Sequence, residues 1–331
     1  MDEVGEERLV GRGRICSPME EVPRHGADYD ARVTRHFLTG EELTSEELDG
    51  LLDRAIELKL DPLASSALAG CSVALIFDKP STRTRLSFEV GVHELGGHPV
   101  LLREGEMQIS RGESVRDTAL VLSRFVHVVG VRTGPHSVVE ELAAHASVPV
   151  INMLTADHHP CQALADLMTL RERFGDLHGL RLVYVGDGNN VAHSLMLLGA
   201  MAGMEVVVAT PAELQPDARY ASPNGGVVQI TNDAQAAAEG ADALYTDVWV
   251  SMSDDEAQAA SRRELLAPYR LDEALLARAA DRAVVLHCLP AHPGEEITEG
   301  VLYGERSAVW DQAENRLHAQ KALLELLIAG G

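Results

Sequence analysis

Nine strand-sized apolar runs separated by longer amphipathic stretches constrain this chain more than any other feature. From His36 onward, Val73–Phe77, Pro99–Leu102, Val126–Val131, Val148–Ile151, Leu182–Val185, Glu205–Ala209, Val227–Ile230, Ala243–Tyr245 and Ala283–Leu286 read as strands. Helices are predicted over 45–58, 82–95, 114–124, 137–145, 160–174, 190–203, 233–239 and 312–328. Strands that alternate with helices imply parallel sheets covered on both faces. Pro149 shortens the fourth strand, because proline cannot donate to a ladder.

At 331 residues, two domains are expected. The fold class is therefore α/β, with two domains, each a parallel sheet flanked by helices. Phe174-Gly-Asp-Leu-His-Gly179 marks the internal boundary. The first domain takes residues 35–175 and the second 176–311. No strand follows the last helix, so residues 312–331 are expected to pack back on the first domain. Residues 1–34 lack periodicity and read as a flexible extension.

Charge and length narrow the partners. Fifty-one acids against 28 bases leave a net charge of −23, which repels nucleic acid and anionic lipid over most of the surface. That balance leaves room for a small basic pocket. The apolar runs are far shorter than the roughly 20 residues of a membrane span. An early acidic N-terminus fits neither a secretory signal nor an Arg-rich transit peptide. Cys16, Cys71, Cys161 and Cys288 form no C-x-x-C pair, which points to a reduced, cytoplasmic home.

In open parallel sheets, ligands collect beyond the C-terminal strand ends. The first such end runs into Asp78-Lys-Pro-Ser-Thr-Arg-Thr-Arg85 and then a helix. Ser81 stands at the N-cap position. Helix-start amides, the hydroxyls of Ser81, Thr82 and Thr84, and the Arg83 and Arg85 guanidiniums suit an anion, most naturally phosphate. The loop lacks the G-x-x-x-x-G-K-[ST] pattern of a Walker site. One arginine is expected to be structural, paired with an acid such as Glu89; the bland alternative is a capped helix with solvated arginines.

Ser81-Thr-Arg-Thr-Arg-Leu-Ser-Phe-Glu89 resembles the carbamoyl-phosphate loop of the aspartate and ornithine carbamoyltransferases. Later motifs follow in the family's order: Arg132-Thr133, His158-His-Pro-Cys-Gln-Ala-Leu-Ala-Asp166, Asp187-Gly-Asn-Asn190, Asp247 with Ser251-Met252, His287-Cys-Leu-Pro290 and Ala313-Glu-Asn-Arg316. The resemblance runs from about Arg35 to the C-terminus. It implies that Ser81, Thr82, Arg83, Thr84, Arg132, His159, Gln162, the Leu289 carbonyl and Arg316 bind carbamoyl phosphate. His159 would donate to the carbonyl oxygen and Gln162 accept from the amide nitrogen, the donor–acceptor pair a neutral amide needs. Asn190, Asp247, Ser251 and Met252 would bind ornithine, and Cys288 would meet the δ-amine beside Asp247. Arg132, His159, Asp247 and Cys288 would carry the catalysis. The H-C-L-P motif matches the ornithine branch of the family.

Other readings of these motifs are weaker. His158, His159 and Cys161 would crowd a single metal ion, and none has a finger-like partner. His158 has no assigned role. Gly186-Asp-Gly-Asn-Asn-Val191 departs from G-x-G-x-x-G at Val191, and the next strand ends in Ala209-Thr210 without an acid for a ribose. Asn189 is expected to cap the helix that follows. Strand alternation puts His287 on the face opposite Cys288, so it would not serve as a base for that thiol. Asp254-Asp-Glu256 reads as a solvated loop face. Ser253 stands where the family has a loop glycine, and Pro293 where an arginine is common.

The expected activity transfers a carbamoyl group from carbamoyl phosphate to L-ornithine, giving L-citrulline and phosphate, with no metal or organic cofactor. The resemblance further implies a homotrimer or a multiple of trimers, and no nucleic-acid or membrane partner.

Overall fold

A computed structural model describes residues 34–108, 112–221, 226–250 and 256–329. Residues 1–33 of the predicted extension, together with Ser251, Met252, Ser253, Asp254 and Asp255, therefore lie outside the described residues.

The order of elements is α1 (Ser45–Leu60), β1 (Ser72–Phe77), α2 (Thr82–Glu94), β2 (His98–Arg103), α3 (Val115–Leu122), β3 (Val128–Arg132), α4 (His136–His145), β4 (Val150–Leu154) and α5 (Pro160–Phe174). There follow β5 (Arg181–Val185), α6 (Asn190–Met201), β6 (Glu205–Ala209), β7 (Val227–Thr231), α7 (Ala234–Ala238), β8 (Ala243–Thr246) and α8 (Glu256–Leu266). The chain continues through α9 (Glu273–Leu276), β9 (Val284–His287), α10 (Glu299–Leu302) and α11 (Val309–Ala329).

All nine expected strands form, in two parallel sheets of order β2-β1-β3-β4 and β7-β6-β5-β8-β9. Each order contains one reversal. The chain leaves β1 for β2 on one side and returns to β3 on the other, so a crevice opens above β1 and β3. The second sheet reverses between β5 and β8. Such switch points are where a doubly wound sheet binds ligands. Phe77 pairs with Arg132 across the first, and Tyr184 with Tyr245 across the second.

Burial explains the layers. Strand β1 is buried from Val73 to Phe77, as a strand covered on both faces must be. Every residue of α5 from Pro160 to Leu170 is buried, and so is every residue of α6 from Val191 to Ala200. Helices buried on every side belong in an interior, and these two pack on each other. Helix α11 returns to pack on α5, α1 and α2, burying Leu323, Leu324 and Leu327. Each such leucine contributes about 1.5–3 kcal/mol relative to exposure.

Several elements differ from expectation. Strand β4 begins after Pro149, at Val150, and extends to Leu154. The proline ends the approach, and the ladder runs where donors exist. Helix α8 was not expected, because its sequence has no apolar stripe; Glu256 opens it rather than lying in a loop face. The short α9 and α10 are single turns capped by Asp272 and Thr298 side chains, too brief to show periodicity.

Candidate active site

The corner after β1 is built by its local sequence. Ser81 occupies the N-cap position of α2 with extended φ/ψ, but its hydroxyl caps no backbone amide. The expected cap geometry forms without the side-chain bond, which leaves Oγ free to serve a ligand. Arg85 is the structural arginine, its Nε donating to Glu89 Oε1 at 3.1 Å. Arg83 carries no ion pair among the described residues. Burial lowers its pKa, while Cys288 and Asp247 from the second sheet lie close enough to raise it.

Thr84 is the centre of this wall. Its hydroxyl is buried and accepts from Arg132 Nη1 at 3.0 Å and from Arg316 Nη2 at 2.7 Å. Arg132 ends β3, and Arg316 arrives on α11. Arg316 Nη1 also donates to Gln162 Oε1. Both guanidiniums keep a buried Nε with no partner among the described residues. Burial and the neighbouring Arg316 pull Arg132 down to about 10, still cationic at neutral pH. Two cations this close repel one another, and an anion between them would relieve both.

His159 stands at the N-cap position of α5, with Pro160 opening the first turn as the sequence predicts, but its side chain makes no cap bond. Its backbone N–H donates to Ser194 Oγ at 2.8 Å, tying α5 to α6. Burial, then Arg316, Arg132 and Arg83, push its imidazole well below the ordinary histidine value. It is therefore a neutral ring able to donate one N–H, and Nδ1 is buried without a partner among the described residues. The three-ligand metal arrangement does not form. His158 turns its Nε2 to the Tyr220 hydroxyl at 2.8 Å and is pushed down to about 3, chiefly by burial. Cys161 donates to the Asn152 carbonyl at 3.4 Å, and burial pushes its thiol up to about 12.

The opposite wall comes from the second switch point. Asp247 follows β8 and is buried. Its Oδ1 accepts from Cys288 Sγ at 2.8 Å and from the Val248 amide at 2.8 Å. Its Oδ2 accepts from Asn189 Nδ2 at 2.8 Å. Asn189 caps α6 as expected, its Oδ1 taking the Val191 and Ala192 amides. The same amide thus caps a helix and holds the carboxylate, a second duty that sequence reasoning missed. Asn190 lies beside it, with Nδ2 donating to the carbonyl of Thr155, the residue after β4, at 2.7 Å.

The glycines of this loop serve packing. Gly186 has a φ of 139°, and a Cβ at Gly188 would lie 2.3 Å from Pro216 N and 2.5 Å from Leu214 O. The partial dinucleotide pattern thus has a local cause: a loop pressed against residues 214–216.

Cys288 is a hydrogen-bond donor rather than a nucleophile. Burial and the Asp247 carboxylate raise its thiol well above the ordinary cysteine range, and thiolate is the reactive form. His287 departs from expectation. Strand β9 ends at His287, so alternation does not extend to Cys288, and a ring nitrogen of His287 lies within 4.8 Å of the Asp247 and Cys288 ligand atoms. Among the described residues these three are the one cluster with metal-like spacing. Both His287 nitrogens are engaged, however: Leu289 N donates to Nδ1 at 2.9 Å and Nε2 pairs with Glu296 Oε1 at 3.1 Å. Leu289 lies in the left-handed region, at φ 58°, before a cis bond to Pro290. A leucine held there is strained, and the turn it forms carries Cys288.

A cationic corner lies at one switch point and a carboxylate–thiol pair at the other, an arrangement suited to a transferase. Family models for the carbamoyl-P binding domain and the Asp/Orn binding domain of aspartate/ornithine carbamoyltransferase match residues 35–172 and 178–327. The chain belongs to the aspartate/ornithine carbamoyltransferase family.

An ornithine carbamoyltransferase of Acidothermus cellulolyticus is 54% identical over 309 residues, covering 90% of this chain and 99% of that protein. One from Methanoculleus marisnigri is 51% identical, covering 90% and 98%. The solved ornithine carbamoyltransferase from Pyrococcus furiosus superposes with a TM-score of 0.84 at 45% identity, covering 90% of this chain and 98% of that one.

Proposed function

We propose that this enzyme transfers the carbamoyl group of carbamoyl phosphate to the δ-amine of L-ornithine, releasing L-citrulline and phosphate. The observation that carries the reading is Thr84 clamped by the half-buried Arg132 and the buried Arg316 guanidiniums, opposite a carboxylate that, among the described residues, is held by neutral donors. Residues 35–175 with 312–331 form the carbamoyl-phosphate domain and residues 176–311 the ornithine domain.

Ser81, Thr82, Arg83 and Arg316 hold the phosphate. Arg132, His159 and the Thr84 hydroxyl surround the carbonyl oxygen. Thr84 accepts from both arginines, so its own hydrogen points elsewhere and is polarised for donation. Gln162 Oε1 and the Leu289 carbonyl accept from the carbamoyl NH2.

Ornithine binds with Asn190 near its α-amino and carboxylate groups and with Ser251 and Met252 along its chain. Its δ-amine has an ordinary pKa of about 10.4, so only about one molecule in a thousand is neutral near pH 7.4. Asp247 and Cys288 orient that nitrogen. The neutral amine attacks the carbamoyl carbon and a C–N bond forms. The negative charge gathers on the carbonyl oxygen, where preorganised donors stabilise it. The C–O bond to phosphate then breaks, and the amine proton passes to the departing phosphate. Holding both substrates together supplies much of the rate. No step needs a metal or an organic cofactor.

The protein is cytoplasmic, serves arginine biosynthesis, and assembles as a homotrimer or a multiple of trimers. Helix α2 exposes Leu86 and Val90, and α3 with the residues after it exposes Leu120, Val121 and Phe125, apolar surface suited to a subunit contact. Among the described residues, no helix is long and apolar enough to cross a membrane.

Citrulline-type product formation, compared across ornithine, putrescine, aspartate and acetylornithine, tests this reading. Ornithine should be preferred by orders of magnitude. A rate with aspartate or acetylornithine that matches or exceeds it would refute the assignment.

A further inference from the structure

One buried carboxylate joins the two walls, and no step of the reaction uses it. Asp166 lies one turn beyond Gln162 on α5 and is fully buried. Its Oδ1 accepts from Gln162 Nε2 at 2.8 Å and from Gln312 Nε2 at 2.7 Å. Gln312 sits in the first turn of α11. Its Nε2 also lies 3.2 Å from the Tyr245 hydroxyl of β8, and its Oε1 accepts from the His287 amide of β9 at 2.9 Å.

A primary amide fits a pocket either way round, because its oxygen and nitrogen differ little in size; its partners decide the orientation. Gln162 has one partner of each kind. Arg316 offers only donors and takes Oε1, while Asp166 offers an acceptor and takes Nε2. With the acceptor removed, only Arg316 would oppose a flip, and the flipped amide would offer hydrogens to a carbamoyl NH2 that needs an acceptor. The same Oδ1 settles Gln312. With its nitrogen drawn to Asp166, its carbonyl is left for the His287 amide, the last peptide before the Cys288 turn.

We propose that Asp166 is a positioning residue for carbamoyl transfer. Its single oxygen orients Gln162 toward the carbamoyl NH2 and, through Gln312, anchors the turn that presents Cys288 and Leu289. The role rests on the carbamoyl-transfer reading above. It requires an acceptor atom and not a charge. Burial supports this by pushing the carboxyl up to about 7 against the pull of both amides.

The test compares the parent enzyme with Asp166→Ala, Asp166→Leu and Asp166→Asn. It measures kcat, both KM values, inhibition by inorganic phosphate and thermal melting. Loss of the acceptor in the Ala and Leu variants should lower kcat/KM for carbamoyl phosphate about 30-fold, the scale of an unpaired buried polar group. Phosphate inhibition should change far less than kcat/KM, since Asp166 reaches one phosphate ligand, Arg316, and only through Gln162. Asp166→Asn keeps an oxygen at Oδ1 and should retain kcat and KM within about threefold.

An Asn variant that melts like the parent but is as slow as the Ala or Leu variant overturns the proposal. So do folded Ala and Leu variants with parent kinetics, or phosphate binding lost in proportion to turnover. Should Ala and Leu both fail to fold, the Asn variant decides alone. A parent enzyme that forms no citrulline refutes the reaction itself, a result distinct from an active parent with a flat Asp166 series.

Discussion

The two walls of the cleft mirror each other in charge and share one principle of construction. On the first-sheet wall, Arg132 and Arg316 are cations held by neutral acceptors, the Thr84 hydroxyl and the Gln162 amide. On the second-sheet wall, Asp247 is held by neutral donors: a thiol, an amide and a backbone N–H. Among the described residues, no ion pair neutralises Arg132, Arg316 or Asp247. Elsewhere the protein pairs its charges freely, as in Arg54 with Glu325 at 2.7 Å or Arg171 with Asp53 at 2.9 Å. Within one loop, Arg85 is paired with Glu89 while Arg83 is left for the cleft. A charge meant for a substrate keeps its field when neutral groups position it, whereas a salt bridge would quench that field before the substrate arrived.

This contrast can be broken by experiment, beginning with the first wall. Arg83→Ala removes a cation that anchors nothing else among the described residues, so citrulline formation should fall by about 10³-fold, the scale of a lost electrostatic stabiliser, while the melting temperature holds. An unchanged rate would mean that the corner grips no phosphate. Asp247→Asn should lower kcat/KM for ornithine by about 10²-fold, as expected for loss of a buried charge contact, and leave carbamoyl-phosphate binding, read by isothermal titration, unchanged. Equal damage to both substrates would erase the division into walls.

Asn189→Ala sharpens the comparison. It removes one of the groups holding Asp247 and should raise the ornithine KM about tenfold, while the lost cap costs about 1 kcal/mol in denaturant unfolding. A stability loss without a KM change would make Asn189 a cap alone.

The smallest effect concerns pH. The Asp166 carboxyl sits at about 7 when folded, against about 3.9 in an unfolded chain. Between those values the native state binds more protons, so this group's contribution makes stability fall as pH rises from about 4 to 7. Asp166→Asn lacks that fall. Its melting temperature relative to the parent should therefore rise between pH 4.5 and 8, and a constant difference would place the Asp166 pKa near its ordinary value.

Local patterns carried much of the fold. Val73–Phe77 and Leu182–Val185 are strands because both sheet faces are covered, and a continuous apolar run announces that. His159-Pro160 announces a helix start. Helix α8 was invisible because Glu-Ala-Gln-Ala-Ala-Ser-Arg-Arg shows no stripe to read. His287 was misplaced because strand alternation was carried one residue past the strand's end. The link from Asn189 to Asp247 spans 58 residues, and the link from Asp166 to Gln312 spans 146. No local pattern reports on either.

The amino-acid order alone determined nine strands and the helix-start corner with its hydroxyls and guanidiniums, since hydrophobic period and capping act over a turn or two of chain. The tertiary structure alone decided which arginine stays unpaired, which way the Gln162 and Gln312 amides face, and that one carboxylate oxygen serves both. Those choices depend on donors and acceptors within about 3 Å of one another, and only the folded chain brings such distant residues that close.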